Sequence, residues 1–269
     1  MRISQAHLMR LSTCPRQFQY LFLDQLGLAL ETEEQTRLLQ GSQFHQLIQQ
    51  WDLGLPIAPL LQTHPQLDQW FQQFQAAIPQ ILQLPMDSDA ECLTRLSEQK
   101  QILDWEGQAL VVVYDLLLLG DRQAHILDWK TYGKPQQVDR LANHWQTKLY
   151  PFVLAETSDY EPDQISMTYW FFEGDSCQEV QPAQSLTFPW SRDRHMVVAT
   201  ELTQLLNQFA QWWQAYELLG SDFPQVVPQA GHCQVCPFQM KCGRSMLEET
   251  QAAAEPSGLG FAAIPEIVL

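Results

Sequence analysis

The chain has 269 residues, 45% of them hydrophobic, enough to bury a sizeable core in one large domain or one domain with a cap. Its net charge of −16, from 15 Lys+Arg against 31 Asp+Glu, argues against tight unaided binding to nucleic acid, because much of that affinity comes from neutralising phosphates. No run of about 18 uncharged apolar residues occurs and Met1 to Ser4 begins no secretory signal, so a soluble cytoplasmic protein with no membrane partner is expected.

The N-terminal stretch predicts a short helix after Ser4, a break, and a second helix capped by Ser12 or Thr13 with Pro15 in its first turn. Cys14 then stands at a helix start, where outward amide hydrogens favour a thiolate, although a lone cysteine is more often a small buried hydrophobe. Thr32 to Gln50 has helical periodicity, with Leu38, Leu39, Phe44, Leu47 and Ile48 on one face, Gly41 as a close-packing point and His45 near that face. Pro65 to about Ile78 predicts a further helix that Pro79 kinks or ends.

Cys92 to Leu103 predicts a strand carrying Glu98, an ordinary exposed residue or a supporting carboxylate. The next stretch, Gln108 to Lys130, holds two apolar runs split by Gly120-Asp121-Arg122-Gln123 and predicts two antiparallel strands. Asp115, Asp128 and Lys130 interrupt the apolar runs. Residues two apart on a strand share a face, so Asp128 and Lys130 point the same way, and Asp115 on the partner strand can lie beside them. Buried charges must pair or hold a metal. The three groups therefore form either a structural ion pair or a site for a hard divalent cation, with Lys130 orienting a water or steadying a phosphate.

After a polar connection, the helix from Trp145 stacks Gln146 and Tyr150, four apart, on one face. Strands are expected at Asp163 to Phe172 and Glu179 to Phe188, followed by a long helix from about Ser191 to Leu219. Cys233, Cys236 and Cys242 then form C-x2-C-x5-C, while Cys14, Cys92 and Cys177 stand alone. This spacing suggests metal ligation rather than disulfides. The tail from about Glu249 is rich in Ala, Pro and Gly, and its Leu259, Phe261, Ile264 and Ile267 are candidates for docking on a partner. The order of elements is that of a mixed α/β protein with helices packed on a central sheet.

Four signs occur in order on the expected elements: Gly41-x-x-x-His45, Asp115, Asp128-Trp129-Lys130 and Gln146-x-x-x-Tyr150. Together they resemble the RecB-type branch of the PD-(D/E)xK nuclease superfamily, although Val112 stands where that family commonly has Gly. Cys14 with the C-terminal trio resembles its iron-sulfur subset, the AddB-type nuclease domain and the CRISPR-associated exonucleases.

The resemblance implies a restriction-endonuclease-like mixed sheet flanked by helices in one nuclease domain over 1–248. Segments 1–50 and 225–248 would form a cap joined by the cysteine cluster, with the catalytic core at about 90–190 and a tail at 249–269. It implies a metal-dependent DNA exonuclease acting on single strands or ends in repair, recombination or defence, with a helicase or other subunit as a candidate partner. Mg²⁺ or Mn²⁺ would be held by His45, Asp115, Asp128 and the Trp129 carbonyl. Lys130 would hold the attacking water, Gln146 would position Lys130 or a phosphate, and Tyr150 would touch the strand. A 4Fe-4S cluster would sit on Cys14, Cys233, Cys236 and Cys242. Four thiolates suit Zn²⁺ equally, although the Cys236-Pro237 pair and a ligand set split between the chain ends lean towards iron. A stapled nucleic-acid-binding or partner subunit without catalysis is the alternative.

Overall fold

A computed structural model of the chain describes residues 1–27, 32–82, 94–174 and 181–244. Strand β1 (Arg2–Ile3) leads into α1 (Gln5–Thr13), α2 (Pro15–Phe18) and a π-helical turn, then α3 (Thr32–Asp52), α4 (Ala58–Thr63) and α5 (Pro65–Ile81). Strands β2 (Thr94–Trp105), β3 (Gln108–Leu119) and β4 (Ala124–Lys130) are followed by α6 (Val138–Ala142) and α7 (Trp145–Thr157). Strands β5 (Ile165–Phe171) and β6 (Gln184–Pro189) and helix α8 (Arg192–Leu219) complete the body, and a run of short turns carries the cysteine trio, Cys233 in a 3-10 turn.

The predicted elements are present with shifted ends. Cys14, not Ser12 or Thr13, caps α2, because both hydroxyls turn back onto the Met9 carbonyl. Pro79 lies in the last turn of α5 and does not end it, since the helix runs on to Ile81. The short elements β1, α4 and α6 had no periodicity long enough to announce them. Cys92, Cys177, the start of the expected strand at Glu179 and the tail from Glu249 lie outside the described residues. No helix among the described residues is long and apolar enough to cross a membrane.

The sheet is mixed. β3 pairs antiparallel with β2 along one edge, while its other edge is shared by β1, parallel at Ala109 and Leu110, and β4, antiparallel from Leu116 to Leu119. β5 continues parallel to β4, and β6 closes the order antiparallel to β5. Apolar residues cover both faces. One layer gathers Leu8, Leu11, Leu149, Phe152, Leu202 and Leu206 of α1, α7 and α8. The other gathers Phe44, Leu47, Trp70 and Phe74 of α3 and α5.

Alternation along β3 changes phase at Asp115. Leu110, Val112 and Tyr114 pack into the α1–α7–α8 layer, whereas Leu116 and Leu118 pack into the α3–α5 layer and Leu117 into the first. The β2–β3 ladder is broken at the same level: pairing stops at Ser97↔Leu116 and resumes at Gln99↔Tyr114, with Glu98 between them in left-handed backbone, φ 51. A non-glycine residue rarely holds that conformation, and in a strand it re-aims the side chains around it. Val112 lies within the core on the first face, away from the acidic groups.

Candidate active site

Asp115 sits where β3 has no ladder partner on either edge, between the ends of β1 and β4 and opposite the break at Glu98. The β3–β4 ladder ends at Leu116↔Leu127, one step before Asp115 and Asp128. There the strands splay, and Asp115 Oδ2 accepts a hydrogen bond from the freed Trp129 amide at 2.7 Å. Its other oxygen faces His45 Nδ1 of α3 at 3.1 Å. One ligand atom from each of His45, Glu98 and Asp115 lies within 4.8 Å of the others.

Asp128 and Lys130 do share a face, the side on which α7 packs. Lys130 Nζ lies 2.6 Å from Asp128 Oδ2 and donates to Gln146 Oε1 at 3.0 Å, while Gln146 Nε2 donates to Asp128 Oδ1 at 2.6 Å. Both ends of the Gln146 amide are thus engaged. All three residues are under 9% exposed. The ring of Tyr169 faces the Lys130 ammonium at 5.4 Å.

Burial alone would lower the His45 pKa, but the charge and hydrogen bond of Asp115, with Asp128 beyond, push it up to about 9 against the opposing charge of Lys130. Burial drives the Asp128 carboxyl above the usual range although Lys130 pulls it down, and Asp115 adds to the rise. Burial works against charge on Lys130, yet Asp128, Tyr132, Tyr169 and Asp115 outweigh it, so the ammonium stays protonated. Three acids, Glu98, Asp115 and Asp128, face two bases, His45 and Lys130. A divalent cation relieves that excess of negative charge.

The donor set fits such a cation: hard carboxylate oxygens, one imidazole, and a buried His45 Nε2 with no hydrogen-bond partner among the described residues. Gly41 has a reason in the same place, because a Cβ there would stand 3.1 Å from Thr131 Oγ1, directly after Lys130.

Sequence reasoning left Glu98 undecided. The signal was in the turn before β3: Glu106 and Gly107, at φ 52 and 71, form a two-residue hairpin turn. Counting back from Trp105↔Gln108 sets Glu98 against Asp115. One aromatic expectation is corrected. Trp129 and Trp145 are 1% and 5% exposed and belong to the core. Tyr150, expected to touch the strand, is also buried, edge-on to Tyr114 at 5.5 Å with its carbonyl accepting from the Tyr114 hydroxyl.

The sequence model of a family described as the PD-(D/E)XK nuclease superfamily matches residues 2–243. The chain belongs to the PD-(D/E)XK nuclease superfamily. No curated protein gives a significant match. Nucleases of this superfamily typically use divalent metals, and the acidic group just described is where this member offers ligands for one.

The cysteines gather at the far end of α1. Cys14, Cys233, Cys236 and Cys242 line one cavity with Tyr20 and Arg244. Arg244 Nη1 donates to Cys233 Sγ at 2.9 Å, and Gln17 Nε2 lies 3.8 Å from Cys236 Sγ. Burial pushes the Cys236 and Cys242 thiols up. Among the described residues no three thiols come within 4.8 Å of one another.

Proposed function

We propose that this superfamily member is a divalent-metal-dependent deoxyribonuclease that trims single strands or strand ends. The observation that carries the reading is the closed Asp128–Lys130–Gln146 arrangement beside the His45–Glu98–Asp115 group, at the one point where β3 is unpaired on both edges. His45, Glu98 and Asp115 would hold Mg²⁺ or Mn²⁺, with Asp128 and the Trp129 carbonyl completing the shell. One imidazole among oxygens shifts preference towards Mn²⁺. When bound, the cation lowers the pKa of a water and offsets charge on the phosphate.

Lys130, protonated and aimed by Gln146, holds the attacking water in place and donates to phosphate oxygen as charge builds there. Gln146 keeps Lys130 and Asp128 in fixed relation, so the ammonium reaches the phosphodiester already oriented. The deep placement of these groups favours a thin, flexible strand over a rigid duplex, which supports the preference for single strands and ends.

The four cysteines are assigned to a 4Fe-4S cluster. The Cys236-Pro237 pair and a ligand set split between the chain ends support it. Hydrogen bonds onto sulfur from Arg244 and Gln17 suit an anionic cluster. A helicase or another repair or defence subunit is the partner to seek.

End-labelled single-stranded and duplex DNA incubated with the protein and Mn²⁺, beside Asp128→Asn and Lys130→Ala, tests the reading. Shortened products from wild type alone are expected, and equal digestion by all three removes the site. Iron and inorganic sulfide in the purified protein support the cluster, whereas stoichiometric zinc overturns it.

A further inference from the structure

Helix α1 links the two sites through contacts with no part in either ligand set. Its N-terminal end is anchored by β1, which pairs with β3, the strand of Asp115. Its C-terminal end is Cys14, whose amide donates to the Arg10 carbonyl and whose carbonyl accepts from Phe18, so α1 and α2 meet rigidly at that residue. Between the ends, two side chains of α1 grip the start of α7. Trp145 Nε1 donates to Ser12 Oγ at 3.0 Å, and His144 Nε2 lies 3.2 Å from Met9 Sδ. His144 in turn caps α7, its Nδ1 accepting from the Gln146 amide at 3.3 Å.

We propose that Ser12 and Trp145 are positioning residues for the acidic centre, tying Gln146, and through it Lys130 and Asp128, to the helix that ends at Cys14. The proposal rests on reading that centre as the nuclease site. Trp145 and Gln146 are consecutive at the start of α7, so a shift of the indole moves the backbone from which the Gln146 amide reaches Lys130 and Asp128. That amide has no slack, because both its ends are engaged at 3.0 and 2.6 Å. Ser12 stands two residues from Cys14, within one helical turn. Ligation that fixes Cys14 therefore fixes the serine that fixes the tryptophan. Coupling between sites is reciprocal, so the state of the cysteines alters the affinity of the acidic centre for its cation by the same factor as the reverse.

The test uses the full-length protein as purified with its cysteine-bound metal. Mn²⁺ affinity is measured by calorimetry without DNA, and kcat and KM are measured on single-stranded DNA. Ser12→Ala and Trp145→Phe are each expected to lower kcat about tenfold, the effect of a barrier change of about 1.4 kcal/mol, with KM within twofold. The double variant should be no worse than either single one. Ser12→Thr, which keeps the hydroxyl, should recover activity to within twofold. Cys14→Ser should weaken Mn²⁺ binding several-fold in the wild-type background and by less than twofold in Trp145→Phe.

If Ser12→Ala and Trp145→Phe lower the melting temperature but leave kcat and Mn²⁺ affinity unchanged, the bond only satisfies a buried donor and the proposal falls. Should Cys14→Ser fail to fold, the kcat pattern of the Ser12 and Trp145 variants still decides. A wild-type protein that binds no Mn²⁺ and cuts no DNA instead overturns the nuclease reading, a result distinguishable from the first.

Discussion

The acidic centre and the cysteine segment each bring together a handful of polar side chains, yet they are held by different means. At the acidic centre Asp115, Asp128 and Lys130 sit on adjacent strands and, with Gln146 of α7, are more than nine-tenths buried between two helical layers and held by hydrogen bonds. The cysteine trio is half-buried in a segment of short turns that leaves Val235 and Met240 over 80% exposed and meets the body through Gln17 and Tyr20, which touch Cys236, Phe238 and Lys241. Strand pairing thus organises the first site, and contacts from one helix pair organise the second. Where backbone order is scarce, a ligand shared by the chain ends contributes most to folding.

The strongest way to break this contrast is through the acidic centre. Asp128→Asn and Lys130→Ala should each lower DNA cleavage by about 10² to 10³-fold, measured with end-labelled strands, because each removes a pre-aimed charge at the phosphate. Each also leaves a buried partner uncompensated, at a cost on the order of 3–5 kcal/mol in thermal unfolding. Activity retained at a tenth of wild type would show that the strands do not preorganise the site.

In the cysteine segment the order of effects should reverse. Cys233→Ser removes a ligand and the acceptor of Arg244, so metal content by elemental analysis should collapse and the melting temperature fall by several degrees, with a smaller loss of cleavage per folded molecule. A metal-replete Cys233→Ser protein would contradict the ligand assignment.

Acid should test the buried histidines that belong to neither ligand set. Burial holds His7, His125 and His144 down to about 4. Below pH of about 6.5 the unfolded chain takes up protons that the folded chain refuses, so the stability these groups contribute above that pH is lost as pH falls towards 4. For His125 alone the change is on the order of 3 kcal/mol, and melting temperature against pH for wild type and His125→Gln checks it. A flat wild-type profile from pH 6.5 to 4 would remove these histidines from the account.

The smallest effect sharpens the contrast. In Gly41→Ala the added Cβ meets Thr131 Oγ1 at 3.1 Å while the helix gains propensity, so stability should change by less than about 1 kcal/mol. Cleavage should fall several-fold, because Thr131 follows Lys130. Pairing it with Thr131→Ala should restore cleavage if the contact is responsible.

Much of the active-site half was readable in the residues. Charges two apart in an apolar strand share a face wherever that strand lies, so the Asp128–Lys130 pair follows from local geometry. The stacking of Gln146 above Tyr150 follows in the same way, although the destination of Tyr150, a core contact with Tyr114, does not. The phase change at Asp115 was hidden, because alternation assumes an unbroken strand and the break arises from Glu98 adopting left-handed backbone opposite it. Capping by Cys14 instead of Ser12 was equally hidden, since the Ser12 hydroxyl serves the Met9 carbonyl and the Trp145 indole at once.

Residue chemistry and spacing were enough to establish the kinds of group involved: acids and a lysine embedded in apolar strands, an amide and a phenol one helical turn apart, and thiols at metal-ligand intervals. Those features are local, and a periodic backbone carries them into any fold. Which groups meet depended on contacts between segments far apart in the chain: α3 bringing His45 to Asp115, the broken β2–β3 ladder adding Glu98, and α1 joining Cys14 to the start of α7. Such meetings arise when sheet and helices pack against each other, since burial and close approach are properties of the assembled layers and not of any single stretch.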